Sequence, residues 1–143
     1  MKHALIALLL ALSVPACARA PMAPNDALVS LRSPEAIERR HAADDLRSDE
    51  EQGVPLAAVP ALLEALRTEP DLATRSSLLV TLGRSGTPEA KDAIDDALVS
   101  DPDPGVHRAA ERALHYWKIQ NDEGDKSWAY WVPVWSPTTK LGN

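Results

Sequence analysis

The stretch Asp101-Pro-Asp-Pro-Gly-Val-His-Arg-Ala-Ala-Glu-Arg-Ala-Leu114 decides the fold class of this chain. Its Asp103 can accept hydrogen bonds from the free amides of a first helical turn. Pro104 follows at the first helical position, where its missing N–H group costs nothing. Ala110 and Leu114 then stand four residues apart, which is the spacing of one apolar helix face. The stretch therefore predicts a turn that leads directly into an amphipathic helix.

The same pattern occurs twice more in the chain, at spacings of 36 and 32 residues. The three copies align when Leu46, Leu82 and Leu114 are superposed. Small or apolar pairs, 42–43 and 78–79, stand three and four positions before the first two leucines, and the third copy has one charged exception. Self-similarity with a period of roughly 20–50 residues is typical of repeat architectures.

Helix starts and partner helices complete the repeat. Ser33-Pro-Glu35 and Thr87-Pro-Glu89 each place a capping side chain before a proline, with a glutamate where the helix dipole favours negative charge. Apolar residues at helical spacing predict partner helices at 25–31, 56–66 and 89–99. We therefore expect an all-α fold, a short solenoid of about three helical hairpins over residues 25–48, 55–83 and 88–119.

The composition supports a helical protein and excludes several classes. Only 4% of the 143 residues are aromatic and none is phenylalanine, whereas β-sandwiches and barrels are richer in aromatic and β-branched residues. Fifteen basic against 21 acidic residues give a net charge of −6, which argues against a nucleic-acid partner. A single cysteine excludes an internal disulfide and a cysteine-based zinc cluster.

Residues 101–114 resemble the second half of a HEAT-like repeat, of the short bacterial class found in phycobilin lyases. That class follows roughly the pattern Asp-x-Asp-Pro-x-Val-Arg-x-x-Ala-x-x-Ala-Leu. His107 stands where the pattern has arginine, and Arg39 and Arg75 hold this place in the other copies. The resemblance covers about residues 25–118. It implies that these three residues are structural, because the arginine of this family commonly pairs with an acidic residue in the turn between repeats.

The N-terminus has the features of a bacterial export signal. Lys2 precedes an apolar run over residues 4–14, which fits the roughly 7–15 residues of a secretory signal and is shorter than the about 20 residues of a spanning helix. Val14-Pro-Ala-Cys17 resembles the lipobox of bacterial lipoproteins, in which an aliphatic and a small residue precede the lipidated cysteine. We expect a signal peptide over residues 1–16, palmitate-type acyl chains on Cys17, and a Pro-rich spacer over residues 17–24.

Lipidation at Cys17 would hold the chain in the bacterial cell envelope, because several acyl chains on one residue bind a bilayer firmly. Ala18 follows the cysteine, and in the lipoprotein sorting rule the absence of aspartate there indicates the outer membrane. The alternative is ordinary cleavage at an Ala-x-Ala site, at residues 16–18 or 18–20. The protein would then be secreted or periplasmic, without a lipid.

The C-terminal segment, residues 120–143, differs from the rest of the chain because it holds three of the four tryptophans within eight residues. Pro133 and Pro137 exclude a helix across it, so we expect an extended tail. Two interpretations stay open. The tail covers the open apolar end of the last repeat, or it presents an aromatic surface to a protein, a glycan or a membrane. The residues concerned are Trp128, Tyr130, Trp131 and Trp135.

The sequence offers no motif on which to base a catalytic activity. It lacks a glycine-rich phosphate loop, a nucleophile elbow and a His-Glu-x-x-His metal motif. His107 and His115 stand eight residues apart on one predicted helix, and His41 lies in another hairpin. We therefore expect no enzyme, no metal, no cofactor and no small-molecule substrate.

These features together predict a non-catalytic envelope lipoprotein that acts as a protein–protein interaction adaptor. The second helices of HEAT pairs usually line the concave face, and the contact residues we expect there are Arg40, Arg75, Arg108 and Arg112. One alternative is an accessory or regulatory subunit of an envelope enzyme or of a secretion or motility complex. Another is a glycan-binding or wall-binding module that uses the C-terminal tryptophans. The sequence itself does not name the partner.

Overall fold

The computed structural model describes residues 19–47 and 53–121, and every regular element in these two ranges is a helix. The bounds are α1 Pro24–Ser30, α2 Ala36–Leu46, α3 Val59–Thr68, α4 Leu72–Ser85, α5 Pro88–Ser100 and α6 Pro104–Gln120. A 3-10 turn, Leu56–Ala58, precedes α3. The helices form three hairpins, α1–α2, α3–α4 and α5–α6, so the expected all-α solenoid is confirmed. The aromatic tail lies outside the described residues.

Two of the expected caps start their helices as the sequence predicts. The Thr87 hydroxyl accepts a hydrogen bond of 3.3 Å from the backbone amide of Ala90 at the start of α5. One carboxylate oxygen of Asp103 accepts bonds of 2.8 and 3.0 Å from the amides of Gly105 and Val106 at the start of α6. In both helices a proline is the first residue. Local sequence alone therefore fixes these two boundaries.

The expected cap at Ser33 is wrong. Helix α2 begins two residues later, at Ala36, and the residue before it is Glu35, whose side chain makes no capping bond. The Ser33 hydroxyl instead accepts from the amide of Glu35, at 3.2 Å. The physical reason is a longer-range contact: the Arg39 guanidinium donates to the backbone carbonyls of Ser33 and Pro34 at 2.7 and 2.9 Å. These carbonyls are thereby held outside the helix.

The core consists of two clusters of buried side chains that share helix α4. Leu78 and Leu82 point into the cluster of the first two hairpins, which also contains Leu62. Leu79 points the other way, into a second cluster with α5 and α6. The other buried members of that cluster are Ile94, Val106, Ala110, Ala113 and Trp117. Helix α4 therefore joins the two halves of the core.

Polar contacts fix α4 against α2. The buried hydroxyl of Thr74 donates to the backbone carbonyl of Ala36 at 3.1 Å, and that of Thr81 donates to the carbonyl of Ala43 at 2.9 Å. Thr74 and Thr81 are seven residues apart on α4, and Ala36 and Ala43 are seven residues apart on α2. Seven residues are about two helical turns, so the two bonds lie along one line of contact between the helices. Each hydroxyl also has an acceptor closer in sequence, an Asp71 carboxylate oxygen at 2.7 Å for Thr74 and the Ser77 carbonyl at 2.9 Å for Thr81, so each hydroxyl proton is shared between two acceptors.

The second helices α2, α4 and α6 pack along one another, whereas the first helices α1, α3 and α5 contact one another little. The second helices therefore form the more closely packed of the two layers. The closest approach is at Gly83 of α4. A Cβ atom there would lie 2.3 Å from the carbonyl oxygen of Ala113 in α6.

Replacing Gly83 by alanine should therefore push α4 and α6 apart. We expect Gly83→Ala to lower the free energy of unfolding by about 1–3 kcal/mol, as overpacking does. This loss should outweigh the gain of about 1 kcal/mol that alanine brings as a helix former. Urea denaturation followed by circular dichroism measures the effect. Ser76→Ala, at a partly exposed position of the same helix, should change stability by less than about 0.5 kcal/mol. Equal stability of the two variants would contradict the close approach.

Candidate protein-binding surface

Ion pairs connect each hairpin to the next. The Arg39 guanidinium holds Glu69 with two bonds, Nε to Oε2 at 2.6 Å and Nη2 to Oε1 at 2.7 Å. The Arg75 Nε lies 3.0 Å from a carboxylate oxygen of Asp101. Each acid belongs to the turn of the following hairpin, so the pairs form a ladder between repeats. The resemblance implied an acidic partner in the turn between repeats, whereas Glu69 and Asp101 lie in the turn between the two helices of the next hairpin.

The same arginines also bond to the turn of their own hairpin. The Arg75 Nη1 donates to the carbonyls of Glu69 and Pro70 at 3.3 and 3.5 Å, as Arg39 does to the corresponding pair in the first hairpin. In the third hairpin the His107 Nε2 contacts the carbonyl of Asp101. One side chain in each repeat therefore contacts carbonyls of the turn before its own helix, which supports a structural role for all three.

Burial and pairing act in opposite directions on Glu69, whose side chain is only 1% exposed. Burial raises the pKa of Glu69, but hydrogen bonds from the Arg39 guanidinium and the Asp71 amide lower it more, so the net pKa is lowered. The hydrogen bond to Glu69 raises the pKa of Arg39 against its partial burial. The pKa of Asp71 is lowered as well, because the Thr74 hydroxyl and amide donate to it at the start of α4.

A cleft opens on the face of the second helices. It has a volume of about 250 Å³ and is lined by Arg47, Ser76, Ser77, Val80, Arg84, Arg112 and Tyr116. The cleft therefore crosses the array from α2 to α6. Three of its lining residues are arginines and none is acidic.

The three arginines of this cleft differ in how they are held. Arg47 lies 2.9 Å from Asp44, one turn earlier in its own helix. The Arg84 guanidinium lies 5.8 Å from the centre of the Tyr116 ring, within the range of a cation–π contact. Arg112 is exposed, and no acidic residue of the described ranges forms an ion pair with it. The cleft is thus a partly preorganised cationic site.

The four arginines expected as contact residues occupy different environments. Arg75 is held in the ladder, with a side chain 20% exposed. Arg40 is half-buried on α2 and Arg108 is exposed near the start of α6. Only Arg112 lines the cleft. Their part in binding a partner stays a prediction.

Arg47, Arg84 and Tyr116 were not singled out from the sequence, although the repeat alignment carries a signal for two of them. Arg84 and Tyr116 each stand two residues after the aligned leucine of their repeat, so they share one register. Arg47 directly follows Leu46. A separate reason also places cations at these helix ends: Arg47 and Arg84 are in or next to the last turn, where the helix dipole favours positive charge. Arg112 lies in the middle of α6, where the helix dipole does not favour a cation.

The remaining expected site residues lie outside the described part of the chain. These are Cys17, Trp128, Tyr130, Trp131 and Trp135. Within residues 19–47 and 53–121, no helix combines the length and the apolar character needed to cross a bilayer. In the same ranges, no group of three His, Cys, Asp or Glu side chains is arranged to hold a metal ion.

Comparison with known proteins agrees with this geometry. A family model described as HEAT repeats matches residues 25–115, which is more than half of the chain. The chain belongs to the HEAT-repeat family. Proteins of this family generally act in protein–protein interactions, and their helical solenoid is typically a non-catalytic scaffold. No curated protein and no solved structure matches the chain.

The buried pair of the ladder, Arg39 with Glu69, gives a prediction about stability. Glu69→Gln leaves Arg39 without its carboxylate, and we expect the free energy of unfolding at neutral pH to fall by about 3 kcal/mol, since breaking a buried pair leaves a charge uncompensated. Lowered pKa values of Glu69 and Asp71 stabilise the fold above the ordinary carboxyl pKa of about 4. This stabilisation is lost as the pH falls through the lowered pKa values, so the wild-type protein should weaken from about pH 5 downward and Glu69→Gln less steeply.

Denaturation curves at several pH values measure both effects. The matched control is Glu64→Gln, because the Glu64–Arg67 pair is exposed at the surface, with side chains 66% and 72% exposed. Its stability should stay within about 0.5 kcal/mol of wild type. A Glu69 variant that behaved like this control would show that the ladder pair does not hold the hairpins together.

Proposed function

We propose that this HEAT-repeat protein is a non-catalytic adaptor lipoprotein of a bacterial cell envelope, which binds an acidic segment of a protein partner on the concave face of its second helices. One observation carries the proposal. The chain has a net charge of −6, yet the cleft on this face is lined by three arginines and by no acid. Cations collected in a concavity of an acidic protein are arranged for a ligand rather than for general solubility.

The chemistry of the cleft favours a protein carboxylate over a polyanion. A guanidinium presents a planar fork of donors that matches a carboxylate, and Tyr116 adds a flat aromatic face. A nucleic acid would need a wide basic surface, because its affinity comes from many phosphate contacts. Here the positive charge is local and the surrounding chain is acidic, so a patterned protein surface is the better complement.

The start of the described chain is consistent with a tether at Cys17. The Arg19 guanidinium lies 3.1 Å from Asp45 of α2, and the amide of Met22 donates to the same carboxylate at 3.1 Å. Residues from 19 onward therefore lie against α2. A lipid on Cys17, two residues before Arg19, would hold the solenoid close to the bilayer surface with α2 nearest to it.

The lipid anchor gives the next prediction. Cys17→Ser should move the protein from the membrane fraction to the soluble fraction and abolish incorporation of labelled palmitate, because no acyl chain can then attach. The measurement is ultracentrifugation of cell lysates together with metabolic labelling. Ala18→Ser, at the adjacent residue, serves as the control and should leave both results unchanged. Equal fractionation of wild type and Cys17→Ser would remove the lipoprotein part of the proposal.

The concave cleft gives a separate prediction. A C-terminally tagged protein purified from detergent-solubilised native membranes should carry a stoichiometric partner. We expect the variant Arg84→Glu/Arg112→Glu to retain about tenfold less of this partner. That loss corresponds to about 1.4 kcal/mol in binding free energy. Reversing two charges places carboxylates opposite the partner's own carboxylates.

The matched control for this variant is Arg32→Glu/Arg67→Glu, which makes the same charge change at exposed positions outside the second helices. It should retain the partner. Circular dichroism and melting curves must show that both variants are folded. Equal retention by the two variants would overturn the role of the cleft, and the absence of any partner with wild type would overturn the stable-adaptor proposal.

A further inference from the structure

The cleft on the second helices presents many hydrogen-bond donors and few acceptors. Three of its lining residues are arginines, and a guanidinium group has N–H donors but no acceptor. Among the described lining residues, the side chains that can accept are the hydroxyls of Ser76, Ser77 and Tyr116. The Ser76 hydroxyl already donates to the backbone carbonyl of Leu72 at 2.9 Å. The cleft therefore suits the acceptors of an occupant better than its donors.

The backbone around the cleft gives an extended occupant no pairing either. Within residues 19–47 and 53–121 every regular element is a helix, so this part of the chain offers no sheet edge beside the cleft. Extended segments gain much of their affinity by adding a strand to such an edge. Amides of an extended segment that faced the cleft would lose water without gaining a partner, which is costly. A helix pairs its own backbone groups, so the cleft favours a helical occupant.

Charge rather than apolar contact recognises this helix. Among the described lining residues, Val80 alone is aliphatic, and it is half-buried. No acidic residue of the described ranges forms an ion pair with Arg84 or Arg112. A helix that binds here therefore presents carboxylates rather than the apolar stripe of most helices bound in grooves.

The spacing of the two arginines gives the charge pattern of the occupant. Arg84 directly follows Gly83, and Arg112 directly precedes Ala113, so both stand beside the closest approach of α4 to α6. Axes of packed helices are about 8–10 Å apart. On one face of an occupant helix, carboxylates at positions i, i+4 and i+7 span about 10.5 Å. A single helix that crosses α4 and α6 therefore brings a carboxylate to each arginine.

We propose that the cleft binds an α-helix of the partner protein, which carries carboxylates at positions i, i+4 and i+7 and lies across α4 and α6. Arg84 and Arg112 each bind a carboxylate of that helix face. Tyr116 keeps Arg84 in position, because its ring centre lies 5.8 Å from the guanidinium. This inference rests on the proposed function and deepens it, because it states the secondary structure and the charge pattern of the acidic segment.

Synthetic peptides and the full-length protein in detergent test the inference by fluorescence anisotropy. The probe is a labelled, alanine-rich peptide of about 20 residues, long enough to form a helix, with glutamates at i, i+4 and i+7. Its matched control has D-alanine at two central positions, which breaks the right-handed helix without changing charge or composition. We expect the control to bind at least about tenfold more weakly, because it must be ordered on binding.

A third peptide separates helicity from charge pattern. It keeps the composition and the helix but places the glutamates at i, i+2 and i+5, which point to different sides. We expect it to bind at least about fivefold more weakly than the probe, because one face then carries fewer carboxylates. Equal affinity of this peptide and the probe would overturn the proposed spacing.

Variants of the protein locate the binding in the cleft. Arg84→Glu/Arg112→Glu should bind the probe at least about tenfold more weakly, since both contacts become repulsive. Arg32→Glu/Arg67→Glu makes the same charge change outside the second helices and should bind the probe as wild type does. Raising the salt concentration from about 0.05 to 0.5 M should weaken binding to wild type. Equal binding by the two variants, or binding that salt does not change, would overturn the inference.

The failure of this inference and the failure of the proposed function give different results. Equal affinity for the probe and its D-alanine control, lost for both in the cleft variant, would overturn the helix and leave binding of an acidic segment in place. Binding of neither peptide would overturn the inference as a whole. Retention of the native partner by the cleft variant during purification would overturn the role of the cleft itself, whatever the peptides do.

Discussion

The double hydrogen bond between Arg39 and Glu69 is the contact on which the arrangement of the hairpins depends. A carboxylate that is almost fully buried requires a partner, and the Arg39 guanidinium donates one hydrogen bond to each of its two oxygens. The pair therefore fixes the position of the second hairpin relative to the first. Because Arg39 also bonds the carbonyls of its own turn, the same side chain determines where α2 begins. Helix boundary and hairpin packing are thus set by one residue.

The substitution of His107 for arginine follows from this double task. An arginine has five N–H donors, enough for its own turn and for the acid of the next. An imidazole is shorter and has two ring nitrogens, which suffice for its own turn, and no hairpin follows the third one in the described residues. His107 accordingly contacts the Asp101 carbonyl, and in the described residues it forms no ion pair. The two ion pairs therefore span both junctions between the three described hairpins, and position 107 needs only the local half of the role.

Features that depend on neighbouring residues could be predicted from the sequence, and features that depend on packing between helices could not. The caps at Thr87 and Asp103 involve residues two or three positions away, so their motif suffices. The start of α2 depends on Arg39, a full turn further along, and the motif at Ser33 was therefore misleading. The cationic cleft depends on the register between α4 and α6, which the contact of Gly83 with Ala113 sets. A glycine inside a helix gives no indication in sequence of which partner approaches it.

The net charge of the chain does not show that positive and negative side chains lie on different layers of the array. The overall value of −6 averages a cationic cleft on the second helices with an acidic row of Glu89, Asp92 and Asp96 on α5. The cleft and the acidic row lie on opposite layers of the array. Charge on a two-layer solenoid is therefore better counted by layer than by chain, because each layer faces a different neighbour.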